Sequence, residues 1–220
     1  MTFKNKKIKE FILRYGYIIR TVVTTEIVFV FIFTALLANC IVPTASMEPT
    51  IESSSRVMAS RVSYKISSPQ RKDIIIFSFP DNPKYVFCKR IIGLPGEVLE
   101  IKDGVTYINN ISLDEDYVKY SFSGSYGPFY IPKKGDIISY DNEKNLATYN
   151  DYLLGGKEFV DKYCEIVSNQ YVVKDDCYFC MGDNRDNSED ARFWTNKYIT
   201  REDIIGKMLL NLSNGFKIVE

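Results

Sequence analysis

Ser46 lies between two prolines, Pro43 and Pro49, each three residues away, in the stretch Pro43-Thr44-Ala45-Ser46-Met47-Glu48-Pro49-Thr50. The two rings fix φ at both ends and restrict what lies between to extended or turn geometry. Such a segment holds one hydroxyl in one place. A serine is a weak nucleophile until a neighbouring base takes its proton, and the usual base is histidine. The chain contains no histidine, so composition alone excludes a Ser-His-Asp triad and a Cys-His pair. The base must then be lysine, aspartate, glutamate or an amino terminus. Lys89 directly follows the apolar run Tyr85-Val86-Phe87-Cys88, which can bury its ammonium, and desolvation lowers a lysine pKa. A base working near neutral pH needs a shift of about three units from about 10.4, roughly 4 kcal/mol of disfavoured charge. The reading to beat is a surface lysine with its stem on apolar neighbours and its head in water.

Two further clusters invite chemistry. The loop Gly182-Asp183-Asn184-Arg185-Asp186-Asn187-Ser188-Glu189-Asp190-Ala191-Arg192 is rich in oxygen ligands. A calcium loop starting at Asp183 would put Arg185 at a ligand position, and one starting at Asp186 would put Ala191 where the turn glycine is needed. Cys177-x-x-Cys180 suggests zinc, but no histidine and no second cysteine pair is there to complete a site. The segment Cys177 to Met181 reads as a strand, which sets the two α-carbons about 10 Å apart, beyond disulfide reach. Core thiols are the expectation.

Four stretches together resemble the bacterial type I signal peptidases, membrane-bound Ser/Lys endopeptidases. They are Pro43 to Thr50, with Thr44 where the family has serine; Arg71-Lys72-Asp73 with the apolar residues after it; Lys89-Arg90-Ile91-Ile92-Gly93-Leu94-Pro95-Gly96; and Gly182 to Arg192, with Ala191 where the family has serine. Their order also matches. The resemblance implies Ser46 as nucleophile and Lys89 as general base, with no metal and no cofactor. It implies an oxyanion site made of the Ser46 backbone N–H and the Thr44 hydroxyl. Ser188 would hydrogen-bond the lysine, and the pair Asp190 and Arg192 would brace the loop that presents it. The substrate walls would be Val42, Pro43, Met47, Ile51, Phe87 and Cys88.

These residues need elements to hold them. Of 220 residues, 45% are apolar and 25% charged, enough for one sizeable domain plus a membrane segment. Formal net charge is zero, so bulk electrostatics points neither to nucleic acid nor to an acidic partner. Lys4, Lys6, Lys7, Lys9, Arg14 and Arg20 crowd the amino terminus ahead of the apolar run Ile27 to Val42. With the residues back to Thr21, that run roughly matches a hydrocarbon core of about 30 Å, and the positive-inside rule leaves the amino terminus in the cytoplasm. A cleaved signal, or a lipid anchor at Cys40, would be the alternatives; the run is long for the first, and Asn39 is large for the second.

The remainder reads as short strands with frequent turns. Val57 to Val62, Asp73 to Phe79 and Tyr85 to Ile92 are strands, and Val98 to Lys102 with Val105 to Ile108 form a hairpin on Asp103-Gly104. Asn109-Asn110 is a second turn. Lys133 to Ile138 echoes Arg71 to Ile75, as two similar strand starts would. A helix is plausible only within Asn150 to Val167, and Gly155-Gly156 keeps it short. The expected architecture is mainly β: a cytoplasmic basic segment 1–15, a transmembrane anchor 16–42, an extracytoplasmic catalytic β-domain from 43–103 and 177–220, and an inserted variable β-domain 104–176.

The function implied is removal of signal peptides from exported preproteins at a single-pass cell-membrane protein, beside membrane lipid and the secretion channel. Cleavage after small residues in an A-x-A pattern would place alternate side chains of an extended substrate in shallow apolar pockets. A self-cleaving repressor-type Ser/Lys protease would need an Ala-Gly site, and none occurs. A non-catalytic relative assisting assembly of surface structures such as pili would lack Ser46 or Lys89. The eukaryotic-type branch would carry histidine at position 89.

Overall fold

The computed structural model describes residues 3–118, 122–213 and 217–218. A long helix leads into a mainly β body. Helix α1 spans Phe3–Leu36, and its part from Lys9 to Leu36, 28 residues, is long and apolar enough to cross a membrane. The chain then passes without a linker into strand β1, Leu37–Val42, followed by β2 (Ser55–Ser60), the one-turn helix α2 (Ser63–Ile66), β3 (Ile74–Ser78) and β4 (Val86–Gly93). Next come β5 (Val98–Lys102), β6 (Val105–Ile108), β7 (Ile111–Ser112) and β8 (Tyr126–Tyr130). Then follow β9 (Ile137–Asp141), β10 (Leu146–Tyr149), β11 (Tyr152–Gly155), α3 (Lys157–Tyr163), β12 (Cys164–Val167) and β13 (Gln170–Val173). Last come β14 (Cys177–Met181), β15 (Tyr198–Thr200), β16 (Ile204–Asn211) and β17 (Lys217–Ile218).

The main sheet runs β1-β2-β16-β3-β4-β14-β15, with β17 added to β16. Two smaller sheets run β7-β6-β5-β8 and β11-β10-β9-β13-β12. One apolar cluster joins all three, from Ile75 and Phe77 through Leu99 and Ile101 to Ile138, Ala147 and Leu154. A second, smaller cluster of Val42, Met47, Ile51, Val57, Ala59, Ile74, Ile76 and Met208 lies beneath the serine segment.

Three expectations about boundaries change. The helix long enough to cross a membrane stops at Leu36, not Val42, because Leu37 to Val42 pair residue for residue with Ser60 to Ser55. A β-branched pair, Ile41-Val42, ahead of Pro43 suits a strand, and the pairing overrides what an apolar run alone suggests. The hairpin on Asp103-Gly104 forms, with both turn residues at positive φ, but its two strands share one of the smaller sheets, so β5 does not belong with the main sheet. The turn α2 was not anticipated. By contrast α3 is short and begins directly after Gly156, as the glycine pair required.

The echo between residues 71–75 and 133–138 is a repeated strand start. Asp73 accepts from the Tyr64 hydroxyl at 2.7 Å and the Gln70 backbone N–H at 3.0 Å. Asp136 accepts from the Tyr130 hydroxyl at 2.8 Å and the Lys133 N–H at 2.8 Å. Each carboxylate closes a turn around a residue at positive φ, Lys72 or Gly135.

Candidate active site

The serine segment is a single 3₁₀ turn, Ala45–Met47, between extended residues Thr44 and Glu48. It is fixed by the loop that follows β14. The Asn184 backbone N–H donates to the Ser46 carbonyl at 3.1 Å, and Asn184 Nδ2 donates to the Ala45 carbonyl at 3.2 Å. The Ser46 Oγ stands 3.1 Å from the Thr44 Oγ1.

Lys89 sits on β4, where Ile75 of β3 pairs with it on one side. On the other side the β14 ladder ends one residue short, at Met181 opposite Arg90. The chain therefore leaves β14 at Gly182 alongside Lys89, and the loop Gly182 to Arg192 covers it. Lys89 Nζ donates to Ser188 Oγ at 3.0 Å. Lys89 is 4% exposed and Ser46 5%, so the surface-lysine reading fails. Burial pushes the Lys89 ammonium below its ordinary pKa; Asp190, Cys88 and Asp183 oppose that shift, while Arg192 adds to it.

Buried ion pairs brace the loop. Arg192 donates to Asp190 through Nε at 2.8 Å and Nη2 at 2.9 Å, both side chains fully enclosed. Asp190 also accepts from the Gly182 N–H at 3.0 Å. Arg90 donates to Asp183 through Nε at 2.9 Å and Nη2 at 2.7 Å, and the Thr50 hydroxyl donates to the same carboxylate at 2.6 Å. Asp183 thus ties the lysine strand to the far end of the serine segment.

The sequence profile described as signal peptidase, peptidase S26, matches residues 15–212. The chain belongs to this family. A signal peptidase I of Bacillus caldolyticus is 31% identical over 187 residues, covering 85% of this chain and 82% of that protein. One from Aquifex aeolicus (strain VF5) is 30% identical over 199 residues, covering 79% and 75%. A crystal structure of a signal peptidase I from Enterococcus faecalis V583 shares 30% identity over 64% of this chain and 97% of that one, with a TM-score of 0.38, too low to bear on the arrangement here. Membership of the signal peptidase family makes the chain a peptide-bond hydrolase.

In this signal peptidase family member, Ser46, Thr44, Lys89 and Ser188 all border one cleft of about 650 Å³. Cys40 to Ala45, from the end of β1 onward, line it together with Ile76, Tyr85 to Cys88, Asp186 to Glu189 and Phe193. Of the expected substrate walls, Val42, Pro43, Phe87 and Cys88 line it. Met47 and Ile51 do not: both are fully buried in the smaller apolar cluster, because the Ile51 N–H bond to the Met47 carbonyl, 2.9 Å, turns the segment inward. Phe87 is stacked on Phe79 with ring centroids 4.5 Å apart, and Trp194 lies 5.4 Å from Phe79, which stiffens that wall. Cys88 is a poor nucleophile, since burial pushes its thiol up to about 12. Cys177 and Cys180 are buried core thiols. Ala191 is fully buried, so the hydroxyl it lacks has no solvent to face.

Sequence reasoning did not assign Gly182, Asn184, Arg185, Arg90, Asp183 or Thr50. Gly182 had a readable signal, as a glycine opening a polar loop. A Cβ there would stand 2.2 Å from Ser188 Oγ and 2.4 Å from the Ser46 carbonyl oxygen. Gly182→Ala must therefore separate the two halves of the site. A loss of kcat of roughly 100-fold or more is expected for this displacement, read by steady-state kinetics on a folded variant.

Proposed function

We propose that the chain is a membrane-anchored endopeptidase that removes signal peptides from exported preproteins, with Ser46 as nucleophile and Lys89 as general base. The observation that carries this is a lysine 4% exposed, bonded to Ser188, on the same cleft as Ser46. Neutral Lys89 takes the Ser46 hydroxyl proton as Oγ attacks the scissile carbonyl. Negative charge then develops on that carbonyl oxygen, and the Thr44 hydroxyl with the Ser46 N–H stabilises it. The protonated lysine gives its proton to the leaving amine, and it activates water to release the acyl group from Ser46. Asp190 and Arg192 support the loop that carries Ser188. No step requires a metal or cofactor.

The substrate lies extended between the β1 edge and the first half of β4, adding as a strand. Small side chains of an A-x-A site meet Val42, Pro43, Phe87 and Cys88. The exposed Ile41, Tyr85, Val86 and Phe193 around the cleft suit contact with lipid. In this reading α1 crosses the cell membrane once with its amino terminus in the cytoplasm, and the catalytic β-domain is extracytoplasmic, near the secretion channel. The two smaller sheets form an inserted variable β-domain, close to the 104–176 expected but starting at β5.

The test is intact-mass spectrometry of a purified preprotein with an A-x-A site, incubated with the detergent-solubilised protein and with Ser46→Ala. Cleavage after the last small residue by the parent alone supports the reading. No cleavage by a folded parent, or equal cleavage by both, overturns it.

A further inference from the structure

Arg185 is the largest charged side chain in the loop outside the Asp190 pair, and it is 2% exposed. Its side-chain partners come from β6 and from the segment after β7. Nη1 donates to Glu115 Oε2 at 3.0 Å and to Thr106 Oγ1 of β6 at 3.1 Å, and Nη2 donates to Glu115 Oε1. Nε donates to the Gly182 carbonyl at 3.2 Å, while the Arg185 carbonyl accepts from Arg192 Nη2 at 2.7 Å. The planar guanidinium is thus held along both edges, a geometry that lysine cannot copy. Three residues on is Ser188, the partner of Lys89.

Glu115 lies in the short segment after β7, and it is itself fixed by the Tyr117 hydroxyl at 2.7 Å. The Tyr117 ring sits 4.1 Å from the Arg90 guanidinium carbon. The segment that follows β7 therefore reaches two of the three arginines that hold the loop over Lys89, Arg185 and Arg90. A buried guanidinium needs an anion, or the segment that carries it moves toward water.

We propose that Glu115 is a positioning residue for Lys89, acting through Arg185 to set Ser188 against the amine. This rests on the Ser46 and Lys89 assignment above. Removing the anion lets the turn Arg185–Asn187 shift, and a displacement of about 1 Å at a reacting group costs on the order of 100-fold in rate. The walls on β1 and β4 that take the small side chains are untouched, and only the Asp186 to Glu189 part of the lining moves, so the loss falls chiefly on kcat.

Glu115→Gln keeps the shape and removes the charge. With the full-length protein in detergent, kcat is expected to fall 10- to 100-fold (order of magnitude) with KM within about twofold, normalised to active sites counted by acylation. Glu115→Gln/Ser188→Ala should be no slower than Ser188→Ala alone, since both act on one contact. An unchanged kcat per active site, or additive losses in the double variant, overturns the proposal. Ile138→Val in the five-stranded sheet controls for stability alone; an equal loss of kcat there also overturns it. If Glu115→Gln does not fold, Glu115→Gln/Arg185→Met removes both charges, and full kcat in that variant, or its failure to fold, rejects a positioning role. Lys89→Ala is run beside these: if it stays active the dyad assignment fails, whatever Glu115 does.

Discussion

Lys89→Ala is expected to lower kcat by on the order of 10⁴-fold, because in the proposed mechanism it removes both the proton acceptor for Ser46 and the donor to the leaving amine. Lys89→Arg should be as inactive, since a guanidinium stays protonated. The parent's pH dependence follows from the same burial. Enclosure in the cleft floor lowers the Lys89 pKa below its ordinary 10.5, so the fraction of neutral base, and with it kcat/KM, rises with pH through the folded-state pKa and then levels. A flat profile of the chemical step between pH 6 and 9 would remove lysine from the mechanism. Stability has a matching sign. The folded state binds fewer protons here than the unfolded chain between the lowered pKa and 10.5, so this residue's contribution to stability rises with pH across that window. Lys89→Met, which keeps the stem without the charge, should therefore melt no lower than the parent at pH 6, although the proposed mechanism leaves it without a base. Thermal unfolding of both proteins at pH 6 and pH 9 checks this.

The burial of Lys89 was legible from local context, since it follows an apolar run, and the proposed dyad rests besides on absence: with no histidine in the chain, lysine is the base the local sequence best supports for Ser46. The cleft walls were legible where a strand edge makes them, at Val42, Pro43, Phe87 and Cys88. They were illegible at Met47 and Ile51, because a turn bond decides which way the segment faces and local sequence does not. The strand Leu37–Val42 looked like membrane helix for a similar reason, since hydropathy does not record the partner that Ser55 to Ser60 supply. Arg185 with Glu115 is the hardest case. The acidic run Asp114-Glu115-Asp116 reads as a solvated surface, and the partners are separated by 70 residues. Long-range ion pairing leaves no periodicity to find. Arg90 with Asp183 was similarly hidden, although each lies in a stretch that was recognised.

That second pair carries the largest expected effect on stability. Arg90 and Asp183 have side-chain exposures of 1% and 0%, and Asp183→Ala leaves the guanidinium in the core without its carboxylate. Other contacts of Arg90 remain, among them the Lys72 carbonyl at 2.9 Å and the Tyr117 ring, so what is lost is the two-point bond to the carboxylate. Breaking such a pair costs about 3–5 kcal/mol, which for a chain of this size lowers Tm by roughly 6–20 °C. An exposed pair offers the contrast: Lys102 and Glu100 are 58% and 25% exposed, and Glu100→Ala should cost no more than about 1 kcal/mol. Asp183→Ala should also slow catalysis, because the Thr50 hydroxyl loses its acceptor and the end of the Ser46 segment is released. Replacing both partners, as Arg90→Met/Asp183→Leu, separates the two effects. Swapping a buried ion pair for apolar side chains of similar size is often neutral or stabilising, so melting should recover toward that of the parent. Activity should not recover, since an apolar side chain in place of Asp183 cannot accept from the Thr50 hydroxyl. Full recovery of kcat in the double variant would mean that the pair holds the fold and leaves the serine segment to its other bonds.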